Sequence, residues 1–194
     1  MNEEAQAVIL DSNVYFRLAY SIRPLLKGSF GESPRYTLFV LAALDEEYGK
    51  SSRLKHKFYW VTETEFRDDR ASKRFEVKGN KREEVSRALN FLAKYADEQR
   101  LNVSLVDLKA LAVGFVNSMP VVTDDRAMVD VAKAHGIECW SVIKLLKLMC
   151  SSGRIDDAKV REIFEFLEYE HDLPMPISRL REVFREYFGS DCPI

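Results

Sequence analysis

The residues of this 194-residue chain best placed to do chemistry are acidic. Asp11 ends the apolar run Ala7-Val8-Ile9-Leu10, and Asp124-Asp125 end a second run, Pro120-Val121-Val122-Thr123. Asp107 stands in the first turn of a helix that begins at Ser104. Taken singly, each reads as an ordinary cap, because a carboxylate at a helix start accepts backbone N–H groups and meets the positive end of the helix dipole. Taken together they predict something else. The carboxyl ends of parallel strands point to one edge of a sheet, where ligands bind, and the helix start at Asp107 can open at that edge. Carboxylates gathered there repel one another, and their pKa values rise. A hard divalent cation, Mg²⁺ or Mn²⁺, removes the conflict: it takes oxygen ligands and leaves positions open for a phosphate. Such a centre activates water and stabilises charge building on a phosphoryl group, with one metal or with two about 4 Å apart. No cysteine, serine or histidine nucleophile is positioned for another route. Metal-dependent phosphodiester hydrolysis is the chemistry these positions predict.

Periodicity predicts the elements that must hold the acids. Ala7–Leu10 reads as a buried strand, followed by a helix from Val14 with capping oxygens from Ser12 and Asn13. Gly28 to Pro34 is a loop. Ser33-Pro34 then reads as the start of a helix over Tyr36–Tyr48, stopped by Gly49. Phe58-Tyr59-Trp60-Val61 is aromatic and β-branched, hence strand-like, with Phe75–Val77 as a hairpin partner. Lys81–Gln99 is an amphipathic helix with Val85, Leu89, Leu92 and Ala93 on one face. A helix from Ser104 to about Val116, a strand at Pro120–Thr123, a helix over Arg126–His135 ended by Gly136, a strand at Ile137–Trp140 and a helix capped by Ser141 follow. Strand and helix alternate as in an α/β protein, predicting a three-layer α/β/α fold on a central parallel sheet. Residues 154–194 break the alternation with two amphipathic helices, Ile155–Glu170 and Ile177–Phe188. They read as a C-terminal helical extension packed on a domain of residues 1–153, through Ile163, Phe164, Phe166, Leu167, Val183, Phe184 and Phe188. A dimer or partner surface is the other use of that stripe.

Charge is distributed unevenly. The chain's net charge is −2, yet residues 50–82 carry 11 basic and 5 acidic side chains. Arg53, Lys55, Arg67, Arg70, Lys73 and Arg74 could line a phosphate-tracking groove there, although basic runs are more often a solvated face. Trp60, Tyr59 and Phe58 read first as core residues and second as platforms for a base. No apolar run approaches the roughly 18 residues that would span a bilayer. The acidic start Met1-Asn2-Glu3-Glu4 is unlike a secretory signal, so a cytoplasmic location is expected. Three cysteines without a Cys-x-x-Cys pair and three scattered histidines argue against a disulfide framework and a zinc site.

At the level of motifs, Val8-Ile9-Leu10-Asp11-Ser12-Asn13 resembles the opening of PIN-domain nucleases. Val106-Asp107-Leu108-Lys109-Ala110-Leu111-Ala112 is similar to their central acid and the helix it begins, and Val121-Val122-Thr123-Asp124-Asp125 to their Thr-x-Asp motif. Ala134-His135-Gly136-Ile137-Glu138-Cys139 resembles their last helix–Gly–strand unit, so the likeness covers residues 7–150 in order. It implies a PIN-like fold and an endoribonuclease dependent on Mg or Mn, with RNA preferred to DNA on the resemblance alone. It implies Asp11, Asp107 and Asp125 as metal ligands, with Thr123 and Asn13 orienting them or a water. Asp124 fills the variable position of the last motif and ranks behind Asp125 as a ligand. The family's fourth acid lies in its second helix, where Asp45-Glu46-Glu47 offers three candidates; Glu47 fits best and Glu46 is the alternative. The resemblance also brings a protein partner such as an antitoxin, and a homodimer, into expectation. The basic segment and the extension have no counterpart in compact VapC-like members. The rival readings are a non-catalytic RNA- or protein-binding module on the same fold, and the toxin of a toxin–antitoxin pair.

Overall fold

Val8, Ile9 and Leu10 are 0, 0 and 2% exposed, a run of burial that requires a strand with neighbours on both edges and a layer on both faces. The computed structural model, which describes residues 5–194, supplies all four; the acidic start Met1–Glu4 lies outside the described residues. β1 (Gln6–Leu10) lies parallel to β2 (Tyr36–Phe39) on one side and to β3 (Val121–Val122) on the other, and β4 (Cys139–Trp140) continues from β3. The order is therefore β2-β1-β3-β4, all parallel. Ile9 sits opposite Phe39 and Val121, and Leu10 opposite Val122.

Side-chain alternation along these strands sorts the core into two apolar layers. Val8, Leu10 and Val122 face one layer, where they meet α1 (Ser12–Leu18). Ile9 and Val121 face the other. α2 (Ala42–Lys50) straddles the sheet's end: Ala43 belongs to the second layer, Leu44 and Tyr48 to the first. α3 (Ser52–Lys57) and α4 (Thr64–Ser72) add Leu54 and Phe66 to the first layer. α5 (Arg82–Glu98), α6 (Leu105–Asn117) and α7 (Arg126–Ala134) cover the second face with Leu92, Leu111 and Met128. α8 (Val142–Ser151), α9 (Asp157–Tyr169) and α10 (Ile177–Phe188) complete the first. Ile163, Phe164, Leu167, Leu180, Val183 and Phe184 of the last two helices are buried in the same cluster as α1 and α8. Asp172, between them, bonds Arg17 at 3.3 Å and Lys57 at 3.0 Å. The three-layer α/β/α architecture with a central parallel sheet is as the alternation predicts.

Three expectations fail. Ser12 and Asn13 cap nothing, because α1 starts at Ser12 and Asp11 holds the N-cap position. Tyr36–Phe39 is not the start of a helix but the edge strand β2, and the helix begins only at Ala42 and runs through Gly49 to Lys50. Val40, Leu41, Leu44 and Tyr48 sit at helical spacing, yet pairing of Tyr36–Phe39 with β1 satisfies four residues of backbone and buries Leu38 completely, which local periodicity cannot outweigh. The Phe58–Val61 strand and its Phe75–Val77 hairpin partner are also absent. Tyr59–Thr62 is one turn of 3₁₀ helix leading into α4. Its aromatic residues pack on other rings instead of in a sheet: the Trp60 centroid is 4.5 Å from Phe66 and 6.3 Å from Tyr15. Aromatic strand preference is at bottom a preference for half-buried packing, and a helical hairpin meets it equally well. Phe75 instead extends beside Val40, donating its N–H to the Val40 carbonyl at 2.8 Å.

α6 carries Asp107 and comes very close to β3 at Gly114. A Cβ added there would lie 2.6 Å from Val121 Cγ2 and 2.9 Å from the Met119 carbonyl oxygen. Gly114→Ala should therefore destabilise the protein by about 1–3 kcal/mol in spite of alanine's better helix propensity. Urea unfolding reads this directly, and an unchanged or raised midpoint would show that α6 can lift from the sheet without cost.

Candidate functional site

The chain leaves β1 towards β2 on one side and returns to β3 on the other, so the carboxyl ends of β1 and β3 form the switch point where parallel α/β sheets bind ligands. Asp11 follows β1 and Thr123 follows β3. Hydrogen bonding continues past the strands and fixes both: Asp11 N–H donates to the Val122 carbonyl at 3.1 Å, and Thr123 N–H to that of Trp140 at 2.9 Å. The Thr123 hydroxyl donates to Asp11 Oδ2 at 3.2 Å and accepts the Asp125 N–H at 3.1 Å. Asp11 is 3% exposed and occupies the N-cap position of α1, yet its side chain caps nothing. Burial is the main force raising its pKa, the charges of Asp107 and Glu47 add to it, and the Thr123 bond opposes it. The result is a carboxyl pushed up to about 7.

Asp107 arrives on the first turn of α6 through a reciprocal capping box. Ser104 Oγ accepts the Asp107 N–H at 3.2 Å, and Asp107 Oδ2 accepts the Ser104 hydroxyl at 2.8 Å and its N–H at 3.2 Å. All of these bonds to the carboxylate fall on one oxygen. Burial raises the Asp107 pKa, the Ser104 bonds hold it down, and the charge of Asp125 raises it further.

Of the three acids of α2, Glu47 is the one whose charge acts on Asp11. Asp45 is taken by two guanidinium groups, accepting Arg70 Nε at 2.8 Å and Arg74 Nη2 at 2.7 Å. Glu46 is exposed. Glu47 is half-buried, and its Oε2 is shut from solvent without a hydrogen-bond partner. Burial raises its pKa, the Ser12 side chain offsets part of this, and the charge of Asp107 adds to it.

Asp125 is exposed and caps α7, its Oδ1 accepting the Met128 N–H at 2.8 Å. Asp124 turns away from the group. Both of its oxygens lie 3.3 Å from the Val142 N–H at the start of α8. Burial pushes it up to about 6, against the pull of that bond and of Arg17. The chain after β3 thus sends the Asp124 side chain to the start of α8, where it acts as a cap. Asn13 is exposed on α1, with no hydrogen bond to any of these acids. Asp11, Glu47, Asp107 and Asp125 are linked in a chain of charge repulsion, although among the described residues no three His, Cys, Asp or Glu side chains gather tightly enough to cage an ion.

Arg70 corrects the reading of the basic segment. It is 5% exposed and buried under the aromatic cluster, donating to Asp45, to the Tyr15 hydroxyl at 3.1 Å and to the Val61 and Phe66 carbonyls at 3.0 and 3.1 Å. A buried guanidinium with all three nitrogens engaged is an anchor, not a groove wall. Trp60 is buried and Phe58 half-buried, while Tyr59 is 67% exposed. Ser12 and Ser104 are the positioning residues that a search for acids alone passes over. Ser104 was legible as the Ser-x-x-Asp capping pattern; Ser12's place beside Glu47 depends on how α2 crosses α1 and leaves no local signal. An open cleft of about 1320 Å³ around Tyr20, Arg154 and the start of α9 includes none of the site residues.

The class is thus a three-layer α/β domain whose switch point is lined by carboxylates. FitAcB from Neisseria gonorrhoeae is a solved structure similar to it, at 15% identity and a TM-score of 0.44 over 69% of this chain and 96% of that one, too shallow a likeness to carry function. No family model matches the sequence, and no curated protein matches it. Among the described residues no helix is long and apolar enough to cross a membrane.

The buried acid makes a pH prediction. Asp11 holds its proton up to about 7 in the fold, whereas the unfolded chain releases it near 3.8. Metal-free protein should lose stability as pH rises through that window and level off above it, by at most about 4 kcal/mol from this group. Glu47 and Asp107 act in the same direction. Urea midpoints measured in EDTA from pH 4 to 8 test this, with Asp11→Asn expected to flatten the profile; identical slopes in both proteins would contradict it.

Proposed function

We propose that the chain is a PIN-like, metal-dependent endoribonuclease that hydrolyses RNA phosphodiester bonds at the edge formed by Asp11, Glu47, Asp107 and Asp125. The observation that carries the reading is Asp11: a buried carboxylate at the switch point, capping nothing, raised by two further acids. The donor set fits Mg²⁺ or Mn²⁺. It is made of hard oxygens, one of them (Glu47 Oε2) buried with no partner, and a cation that keeps most of its waters needs only one or two direct carboxylates. When bound, such an ion would lower the pKa of a water and offset charge on the phosphoryl oxygens.

The chain's own residues prepare that position. Thr123 holds Asp11 by its hydroxyl and accepts the backbone N–H of Asp125, which ties together the ends of β1 and β3. Ser104 holds Asp107 by Oδ2 alone. Arg70 and Arg74 draw Asp45 aside, leaving Glu47 to face Asp11. Preorganisation of this kind keeps the cost of ordering ligands out of the binding step.

The reading is tested on a panel of single-stranded RNAs with Mn²⁺. Asp11→Asn and Glu47→Gln should each lower cleavage by at least about 100-fold, because even groups that only orient ligands cost 10–100-fold. Asp45→Asn and Asp124→Asn should retain most of it. Mn²⁺ should also raise the melting temperature of the wild type and not that of Asp11→Asn. Cleavage unchanged in both Asp11→Asn and Asp125→Asn would sink the proposal.

One observation favours a second reading, a non-catalytic RNA-binding module: Asp107 and Asp125 each already spend one oxygen on a helix cap. Calorimetry separates the two. RNA affinity without Mn²⁺ binding at millimolar concentration would favour the module.

A further inference from the structure

A groove of about 570 Å³ lies beside the carboxylates, between α2, residues 74–77, α5 and α6. It adjoins the recess that holds Asp11 and Ser12, and Leu41 lines both. α6 forms a shared wall. Its Val106 and Ala110 face the recess, while Lys109 and Val113, on the adjoining stripe of the helix, face the groove. Three cations line it, Arg74, Arg82 and Lys109, against Glu76 as the one acid among its described lining residues. Arg82 bonds a backbone carbonyl, Val77, at 3.3 Å, so its charge stays uncompensated. Arg74 shares Asp45 with Arg70: one carboxylate stands against two guanidinium groups, and a net positive charge remains. Between these cations the surface is apolar, with the half-buried ring of Phe75 among Leu41, Val85, Leu89 and Val113.

Cations interleaved with an apolar and aromatic floor suit a polyanion that also exposes flat apolar faces. A single nucleic-acid strand has both, phosphates for the cations and unstacked bases for the floor. A duplex offers its backbone and hides its bases, which leaves the floor unused. An acidic peptide satisfies the cations alone.

We propose that this groove holds the single-stranded nucleic acid next to the scissile phosphate, with Arg82 and Lys109 on its backbone and Phe75 against a base. The assignment rests on the nuclease reading of the carboxylates. It places the contacts outside most of the basic segment, since Arg53, Lys55 and Arg67 do not line the groove.

Fluorescence anisotropy with labelled strands of about 12 nucleotides, RNA and DNA, tests it in EDTA, where nothing is cleaved. The full chain should bind either single strand more tightly than the matching duplex. The double variant Arg82→Glu/Lys109→Glu should weaken binding by about 10-fold or more. The milder Arg82→Gln/Lys109→Gln pair, which keeps the fold accessible to test if charge reversal disturbs it, should reduce the slope of log affinity against log salt by about 1.4, two phosphate contacts on a single strand. Unchanged affinity in both variants overturns the groove. So does a wild type that prefers duplex, binds no strand, or takes poly-glutamate in preference to RNA. Cleavage is read separately. If Asp11→Asn cleaves like the wild type while the groove variants lose binding, the carboxylate reading fails and the groove stands; lost cleavage in Asp11→Asn with groove variants that bind normally has the reverse meaning.

Discussion

Everything at the switch point depends on the burial of one charge. Asp11 follows a strand that is enclosed on both edges and both faces, so its carboxylate cannot reach bulk water. Removing an ionised carboxylate from water is costly unless hydrogen bonds or an opposite charge replace the solvent. The surroundings supply a threonine hydroxyl and then two more acids, Asp107 and Glu47, which worsen the imbalance. A protein selected only for stability would place an apolar residue there. Uptake of a proton relieves that cost, and a bound cation would relieve it with the carboxylates ionised, which is the physical content of the proposed function.

Helix caps and metal ligands are often treated as competing explanations for an aspartate at a helix start. Here the same side chains have an oxygen to spare for a second role. Asp107 uses one oxygen to complete its capping box, and Asp125 uses Oδ1 to cap α7. A cap fixes the rotamer and anchors the carboxylate to the most rigid part of its helix, which is what a ligand also requires. Asp124 shows the other outcome: it shares a sequence neighbourhood with Asp125 but turns both oxygens to the start of α8. The divergence of adjacent aspartates is set by the turn that follows β3.

Much of this was legible in the sequence, and the failures share one cause. Elements governed by local rules emerged close to their limits: α10 spans Ile177–Phe188, α5 differs by a residue at each end, and the Ser104 and Ser141 caps are in place. Misreadings arose where long-range contacts decide. β2 forms because β1 needs a neighbour, and Tyr59–Thr62 coils because Trp60 finds Tyr15, Tyr20 and Phe66. The site followed the same division. Asp11, Asp107 and Thr123 stood out because strand ends and helix starts mark themselves. Glu47 was preferred on sequence by its apolar neighbours, but what occupies Asp45 was not legible, because its partner Arg70 lies 25 residues away and is buried for reasons of its own.

The shortness of the outer strands has a consequence for association. β4 offers two residues at one rim of the sheet, and at the other the four-residue β2 passes directly into Val40, whose backbone is already engaged by Lys73 and Phe75. Neither rim presents a length of unpaired backbone that another chain's strand could template on. Aggregation by sheet extension is thereby suppressed, and a second copy or a foreign protein would meet surfaces other than the rims of this sheet.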